Sequence, residues 1–172
     1  MVLFYSKATT LNPSFACAWL LFGNTFAVCG EHDQAIASYK TAMRLYKASY
    51  MPLLCLGQEM IAIAQFEDAK KYLKIANSLC DNDPLIFNEY GTIAFQNKKY
   101  ADARRYLERA EELLNIQMEP AVIELVHNNF AHALRCLRFV IFQLSFVMRI
   151  LVDMISCFTV NTIKHWNTSR NA

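Results

Sequence analysis

The chain has 172 residues, enough for one domain with a sizeable core. Gly and Pro number only four each, well under the roughly twenty that average usage would give together, which argues against a turn-rich sandwich, collagen or a disordered linker. A 55% hydrophobic share with a formal net charge of +2 describes a packed protein with no electrostatic bias toward nucleic acid.

Self-similarity at a period of 34 residues organises the chain. Gly23, Gly57 and Gly91 stand 34 apart, as do Ala35, Ala69 and Ala103, and Ala42, Ala76 and Ala110. Leu45, Leu79 and Leu113 make a fourth identical column. Other columns keep only their character: Trp19, Leu53 and Phe87 are large and apolar, and so are Phe22, Leu56 and Tyr90 before each glycine. The period and the column types are those of the tetratricopeptide repeat, a pair of antiparallel helices. An all-α repeat solenoid of about 3.5 repeats plus an apolar C-terminal helix is therefore expected.

In chain order, residues 1–15 read as the end of a preceding repeat, with Tyr5, Ala8 and Pro13 in the correct columns. Repeats are expected at 16–49, 50–83 and 84–117, with turns near Cys29-Gly30, Ala64-Gln65 and Asn97-Lys98. The apolar spacings of three and four within each repeat are helical. The columns Gly23, Ala35, Ala42, Gly57, Ala69, Ala76, Gly91, Ala103 and Ala110 put small side chains where helices must approach closely; Trp19 and its counterparts fill the space between. Pro84 after Asp83 reads as a first-turn proline behind an N-cap. The first helix of a fourth repeat is expected over 118–138, with His127, Phe130-Ala131 and Leu134 in the repeat columns and six extra residues before it.

After Arg138 the pattern stops. Residues 139–172 form a divergent tail that begins as an almost uniformly apolar run, Phe139 to Val160, interrupted by Arg149 and Asp153, which stand four apart and could pair. Three origins fit: a helix covering the open end of the stack, a membrane span disfavoured by its two charges, or a foreign segment joined to the fold by a truncated or misjoined gene model. Translated as written, such a tail predicts poor solubility.

Residues that carry chemistry are sparse. The six cysteines, Cys17, Cys29, Cys55, Cys80, Cys136 and Cys157, form no C-x-x-C and read as reduced, mostly buried small apolar residues. No secretory signal is visible, so a nuclear or cytoplasmic location is expected. His132 and Cys136 share a helix face, but two ligands do not close a zinc site. No phosphate loop, nucleophile elbow or H-E-x-x-H occurs, so no catalytic residue, metal or cofactor is assigned. Asn167-Thr168-Ser169 matches a glycosylation acceptor that would stay idle without secretion. Lys98-Lys99 and Arg104-Arg105 make a small basic patch offset by nearby acids.

What remains is a surface. A curved stack of helix pairs exposes its first helices on the concave side. Cys17, Leu20 and Asn24, then Met51, Leu54 and Gln58, then Leu85, Asn88 and Thr92 are expected to line that groove. The lining mixes apolar and amide groups with almost no charge. It suits a peptide or helix with apolar side chains, and not a terminal carboxylate, which would need cations. The plainer reading is that these residues simply face solvent.

Beyond the generic repeat, several strings resemble one family. They are Ser6-Lys7-Ala8-Thr9-Thr10-Leu11, Ala18-Trp19, Asn24-Thr25-Phe26-Ala27-Val28 and Glu31-His32-Asp33-Gln34-Ala35, continued in order by Asp83-Pro84, Ala94-Phe95-Gln96-Asn97, and Glu119-Pro120 with Asn128-Asn129. Together they are similar to the repeat subunit of the anaphase-promoting complex of the cell-division-cycle-sixteen class, over about residues 5–138. The resemblance implies a truncated, non-catalytic scaffold of a multisubunit ubiquitin ligase that marks mitotic regulators for degradation. It implies other subunits as partners, including a small helical one in the groove. No nucleic acid or small-molecule substrate is expected, and a membrane anchor at residues 139–160 is disfavoured. A generic repeat adaptor or co-chaperone binding a peptide is the alternative.

Overall fold

A computed structural model describes the backbone of residues 2–115 and 118–170, and the side chains of residues 3–115, 118–145, 147–149 and 151. The regular elements among the described residues are all helices: α1 (Val2–Leu11), α2 (Ala16–Val28), α3 (His32–Leu45), α4 (Met51–Ala62), α5 (Phe66–Leu79), α6 (Pro84–Gln96), α7 (Tyr100–Glu112) and α8 (Pro120–Arg170). Helices α2/α3, α4/α5 and α6/α7 pack as pairs, and each second helix also touches the first helix of the next pair.

Small side chains set the spacing. Ala35, Ala42, Ala69, Ala76, Ala103 and Ala110 are all fully buried. Each glycine of the 34-residue column meets the large residue sixteen positions later on the partner helix: Gly23 faces Tyr39, Gly57 faces Leu73 and Gly91 faces Leu107. Any side chain at the glycine would occupy the volume already taken by that residue, so the column holds glycine for close approach. Trp19 is half-buried; its ring nitrogen donates to the Pro13 carbonyl at 2.8 Å, tying the first repeat to the turn before it. Leu54, Leu56, Leu73, Ile86, Ile93 and Leu107 fill the core between pairs.

The tight turns repeat as well. Gly30, Ala64 and Lys98, 34 residues apart, all have left-handed backbone, with φ of 76°, 60° and 60°. At each, the next residue's N–H reaches back to the carbonyl five residues earlier: Glu31 to Phe26 at 2.9 Å, Gln65 to Met60 at 2.7 Å and Lys99 to Ala94 at 2.9 Å. This closes the carbonyl end of each first helix. Only the first of the three sites carries the residue that adopts this backbone without strain. Ala64→Gly should therefore stabilise the fold by up to about 1 kcal/mol; a thermal melt of the variant checks this, with Gly30→Ala expected to shift it the opposite way. Between pairs, the Asp83 side chain accepts the Leu85 N–H at 2.8 Å ahead of Pro84, which starts α6 as an N-capped helix.

Helix α8 departs from the sequence expectation in length. It begins as the first helix of a fourth repeat: Val126 and Ala133, fully buried, stand 40 residues after Ile86 and Ile93 and pack as they do against the preceding pair. Ala131, expected in the small-residue column, is instead exposed. That column is buried only when a second helix folds back over it, and α8 runs straight past Arg138 to Arg170. The change at Arg138 is one of side-chain chemistry, without a helix boundary. Phe139, Ile141, Phe142, Leu144, Val147, Met148 and Leu151 are exposed, so this part of the tail does not cover the stack. By length and composition, the stretch 120–149 is long and apolar enough to cross a membrane. The Arg149–Asp153 pairing, Cys157, His165 and Asn167-Thr168-Ser169 lie outside the described side chains.

Candidate partner-binding groove

The groove is built from one face of each first helix. Helices α4 and α6 touch, as do α6 and α8, so the faces of these three adjoin. Of the expected lining, Cys17, Asn24 and Met51 are exposed; Leu20, Gln58, Leu85 and Thr92 are half-buried. Two of the nine residues expected to line it do not: Leu54 and Asn88 are each only 1% exposed. Both lie in the first half of their helices and are covered at the seam where successive first helices touch. Leu54 joins the core. Asn88 becomes part of a hydrogen-bond chain, accepting from Asn129 Nδ2 at 2.9 Å and donating to Glu89 Oε1 at 3.4 Å.

Two carboxylates lie under this surface. Glu59 and Glu89 lie beneath the seam, each 7% exposed. His32 Nδ1, at the start of α3, approaches Glu59 Oε2 at 2.7 Å. Gln58 Nε2 donates to Glu89 Oε1 at 3.0 Å, linking α4 to α6 across the repeat boundary. The sequence carried a signal for both acids. Glu59 aligns with Thr25 one period earlier and Ile93 one period later, and Glu89 with Leu21 and Cys55, so a carboxylate stands where each column is otherwise uncharged.

Burial pushes the Glu89 carboxyl above its ordinary range, only partly opposed by the bonds from Gln58 and Asn88. The folded chain therefore binds this proton more tightly than the unfolded one. Glu89 contributes stability at pH below its ordinary value of 4.5 and loses it as pH rises through the folded value. Glu89→Gln should raise the melting temperature at neutral pH and flatten its decline from acid to neutral conditions. A variant less stable than the parent at neutral pH would mean that the charged carboxylate holds the seam.

The cysteines are less buried than the sequence suggested. Cys17 and Cys29 are exposed, and Cys55, Cys80 and Cys136 are half-buried; all five are free. Cys17 lies on the groove face and Cys29 at the C-cap of α2, positions where a neighbouring helix does not reach. Cys55 lies near Glu59 and Glu89; burial, then the charge of Glu59, pushes its thiol up to about 11, which keeps it protonated and unreactive. Tyr39 donates its hydroxyl to Asn24 Oδ1 at 2.8 Å, and burial holds it protonated. On α8, His132 packs at a tilt against Phe95 with ring centres 4.9 Å apart, and His127 Nε2 lies 3.7 Å from Glu111 Oε1. Among the described residues no group of three His, Cys, Asp or Glu could hold a metal ion. Exposed Met51 and Cys17 present apolar groups on this face, with the polar groups of Asn24, Gln58 and Thr92 beside them.

Known proteins share both the sequence and this surface's scaffold. Over 114 residues the protein is 42% identical to anaphase-promoting complex subunit 6 of Dictyostelium discoideum, covering 66% of this chain and 13% of that one. It is 36% identical over 138 residues to the cell division cycle protein 16 homolog of Homo sapiens, covering 78% of this chain and 22% of that one. Its structure superposes on the APC/C hetero-tetramer Cut9–Hcn1 with a TM-score of 0.75 and 34% identity, over 80% of this chain and 27% of that one.

The chain is APC6-like.

No family model matches it. The APC6-like chain spans about a quarter or less of the length of these relatives. The fold is the tetratricopeptide-repeat solenoid that the 34-residue period implied, and the match to Cut9–Hcn1 places it beside a repeat protein solved together with a partner.

Proposed function

We propose that this chain is a non-catalytic repeat scaffold of the anaphase-promoting complex ubiquitin ligase, binding partner subunits through its concave groove. The observation that carries the reading is the joint agreement of sequence and backbone: 34% identity at a TM-score of 0.75 with a repeat structure from that complex. The exposed groove residues Cys17, Asn24 and Met51, with Gln58, Leu85 and Thr92 beside them, form the surface on which a small helical subunit would lie. The work of such a surface is capture and stacking, with no bond made or broken. A nuclear and cytoplasmic location goes with this role.

Affinity purification of the tagged chain, with identification of its partners by mass spectrometry, tests it. Other subunits of the ligase should be recovered, and Met51→Asp with Gln58→Ala should reduce recovery of a small helical subunit at least tenfold while the helical circular dichroism is unchanged. Recovery of chaperones with no ubiquitin-ligase subunit would favour the generic adaptor and overturn the proposal.

A further inference from the structure

A second concavity lies away from the groove, where α5 meets the α6–α7 hairpin. It holds a cavity of about 330 Å³ lined by Lys70, Lys74, Lys99, Asn97, Tyr90 and Tyr106, with Asp102 among its walls. Its floor is apolar, from the buried Ile93 and Ala94. The Tyr90 and Tyr106 rings stack at 5.5 Å and 28°, making a flat wall. Burial and the neighbouring Tyr106 push the Tyr90 hydroxyl up, so it stays a donor. The adjoining cavity of about 220 Å³ shares Asp102 and Tyr106 and adds Arg105 and Arg109.

Donors outnumber acceptors here. Lys70 is engaged by Glu67 at 2.7 Å and Arg109 by Glu112 at 2.9 Å, and Asp102 lies 3.9 Å from Arg105. Lys74 and Lys99 form no ion pair among the described side chains, although Glu67 feels the charge of Lys99. Lys99 is also the N-cap of α7 and provides no side-chain cap. The backbone N–H groups of Tyr100, Ala101 and Asp102 meet no acceptor among the described residues. Ammonium groups beside an uncapped helix N-terminus favour an anion with several acceptor oxygens.

We propose that this cleft docks a phosphorylated segment of a partner protein. The phosphoryl group is held by Lys74, Lys99 and the first turn of α7; a neighbouring side chain of the segment lies against the tyrosine wall, and acidic residues beyond it face Arg105 and Arg109. A phosphoryl group offers about −2 charge and three acceptor oxygens, which matches the donor surplus better than a single carboxylate. The chain's formal net charge is only +2, with no electrostatic bias toward a continuous polyanion such as a nucleic-acid strand. The site is separate from the groove and does not depend on the identity of the groove's ligand.

Fluorescence anisotropy of the full chain with a labelled peptide, Asp-Asp-phosphoserine-Phe-Asp, tests this against the same peptide carrying Ser or Glu in place of the phosphoserine. Saturable binding of the phosphopeptide is expected, at least tenfold tighter than the Ser peptide and competed by millimolar inorganic phosphate. Lys74→Ala with Lys99→Ala should weaken it at least tenfold with unchanged circular dichroism, whereas Lys40→Ala, an exposed cation on α3, should leave it unchanged. Equal binding of the Ser and phosphoserine peptides, an unaffected double variant, or tighter binding of a single-stranded oligonucleotide would each overturn the proposal.

Discussion

Gly91→Ala lowers the stability of the stack, and Gly57→Trp abolishes it. A Cβ at position 91 would lie 2.5 Å from Leu107 Cγ and 2.8 Å from its Cδ2. Cγ is the branch point of a side chain that is itself 2% exposed, so it cannot yield without moving the helix that carries it. At position 57 the clash is with Leu73 Cδ2 at 2.8 Å and Cγ at 2.9 Å. Overpacking of this kind costs about 1–3 kcal/mol per site, against which alanine recovers at most about 1 kcal/mol of helix propensity over glycine. An indole at Gly57 far exceeds any available space and must separate α4 from α5. Neighbouring repeats depend on one another for their cores, so the loss should spread along the stack. Thermal melts by circular dichroism give the result. Leu107→Ala, alone about 2–5 kcal/mol destabilising, should cost less in the Gly91→Ala background, because the truncated leucine makes room for the new methyl. An unchanged melting curve for Gly57→Trp would show that the glycines are not at a helix contact.

The outer part of α8 should dominate the behaviour of the chain in solution. From Phe139 to Leu151, seven large apolar side chains are between 46% and 67% exposed, on all sides of the helix. A soluble monomer rarely leaves so much contiguous apolar surface in water, and a helix apolar all round is stable only inside protein or lipid. The full chain is expected to self-associate in detergent-free buffer and to become monodisperse when Phe142→Lys, Leu144→Glu and Met148→Lys are combined. Because Val126, Asn129 and Ala133 hold the start of α8 against the stack, the repeat fold should survive those changes with its melting transition intact. Size-exclusion chromatography with light scattering reads the outcome. A parent chain that is monomeric at high concentration would refute the prediction.

The seam between first helices shows where the sequence and the structure part company. Repeat length, the pairing of helices and the positions of the turns were all readable from columns of identical residues, because each column meets the same neighbours in every copy. The groove was readable only in part. Cys17, Asn24 and Met51 are exposed, but Leu54 and Asn88 belong to the same column as the half-buried Leu20 and are closed over. Periodicity says which face a residue occupies; how tightly that face is covered depends on how closely neighbouring first helices pack, which no single column encodes. The basic cleft escaped for a similar reason: Lys74 and Lys99 are far apart in register and meet only because α5 packs beside the α6–α7 hairpin.

By itself, the sequence determined that the chain winds as paired helices in units of 34 residues, since glycine and alanine recur where backbones must nearly touch and large residues recur where they must not. Only the tertiary structure decided that Glu59 and Glu89 are buried across a repeat boundary, that Ala131 is left bare, and that α8 runs on without a partner. Each of these turns on whether a neighbouring helix arrives to cover a given face, which depends on the assembled stack rather than on the residue's own place in the pattern.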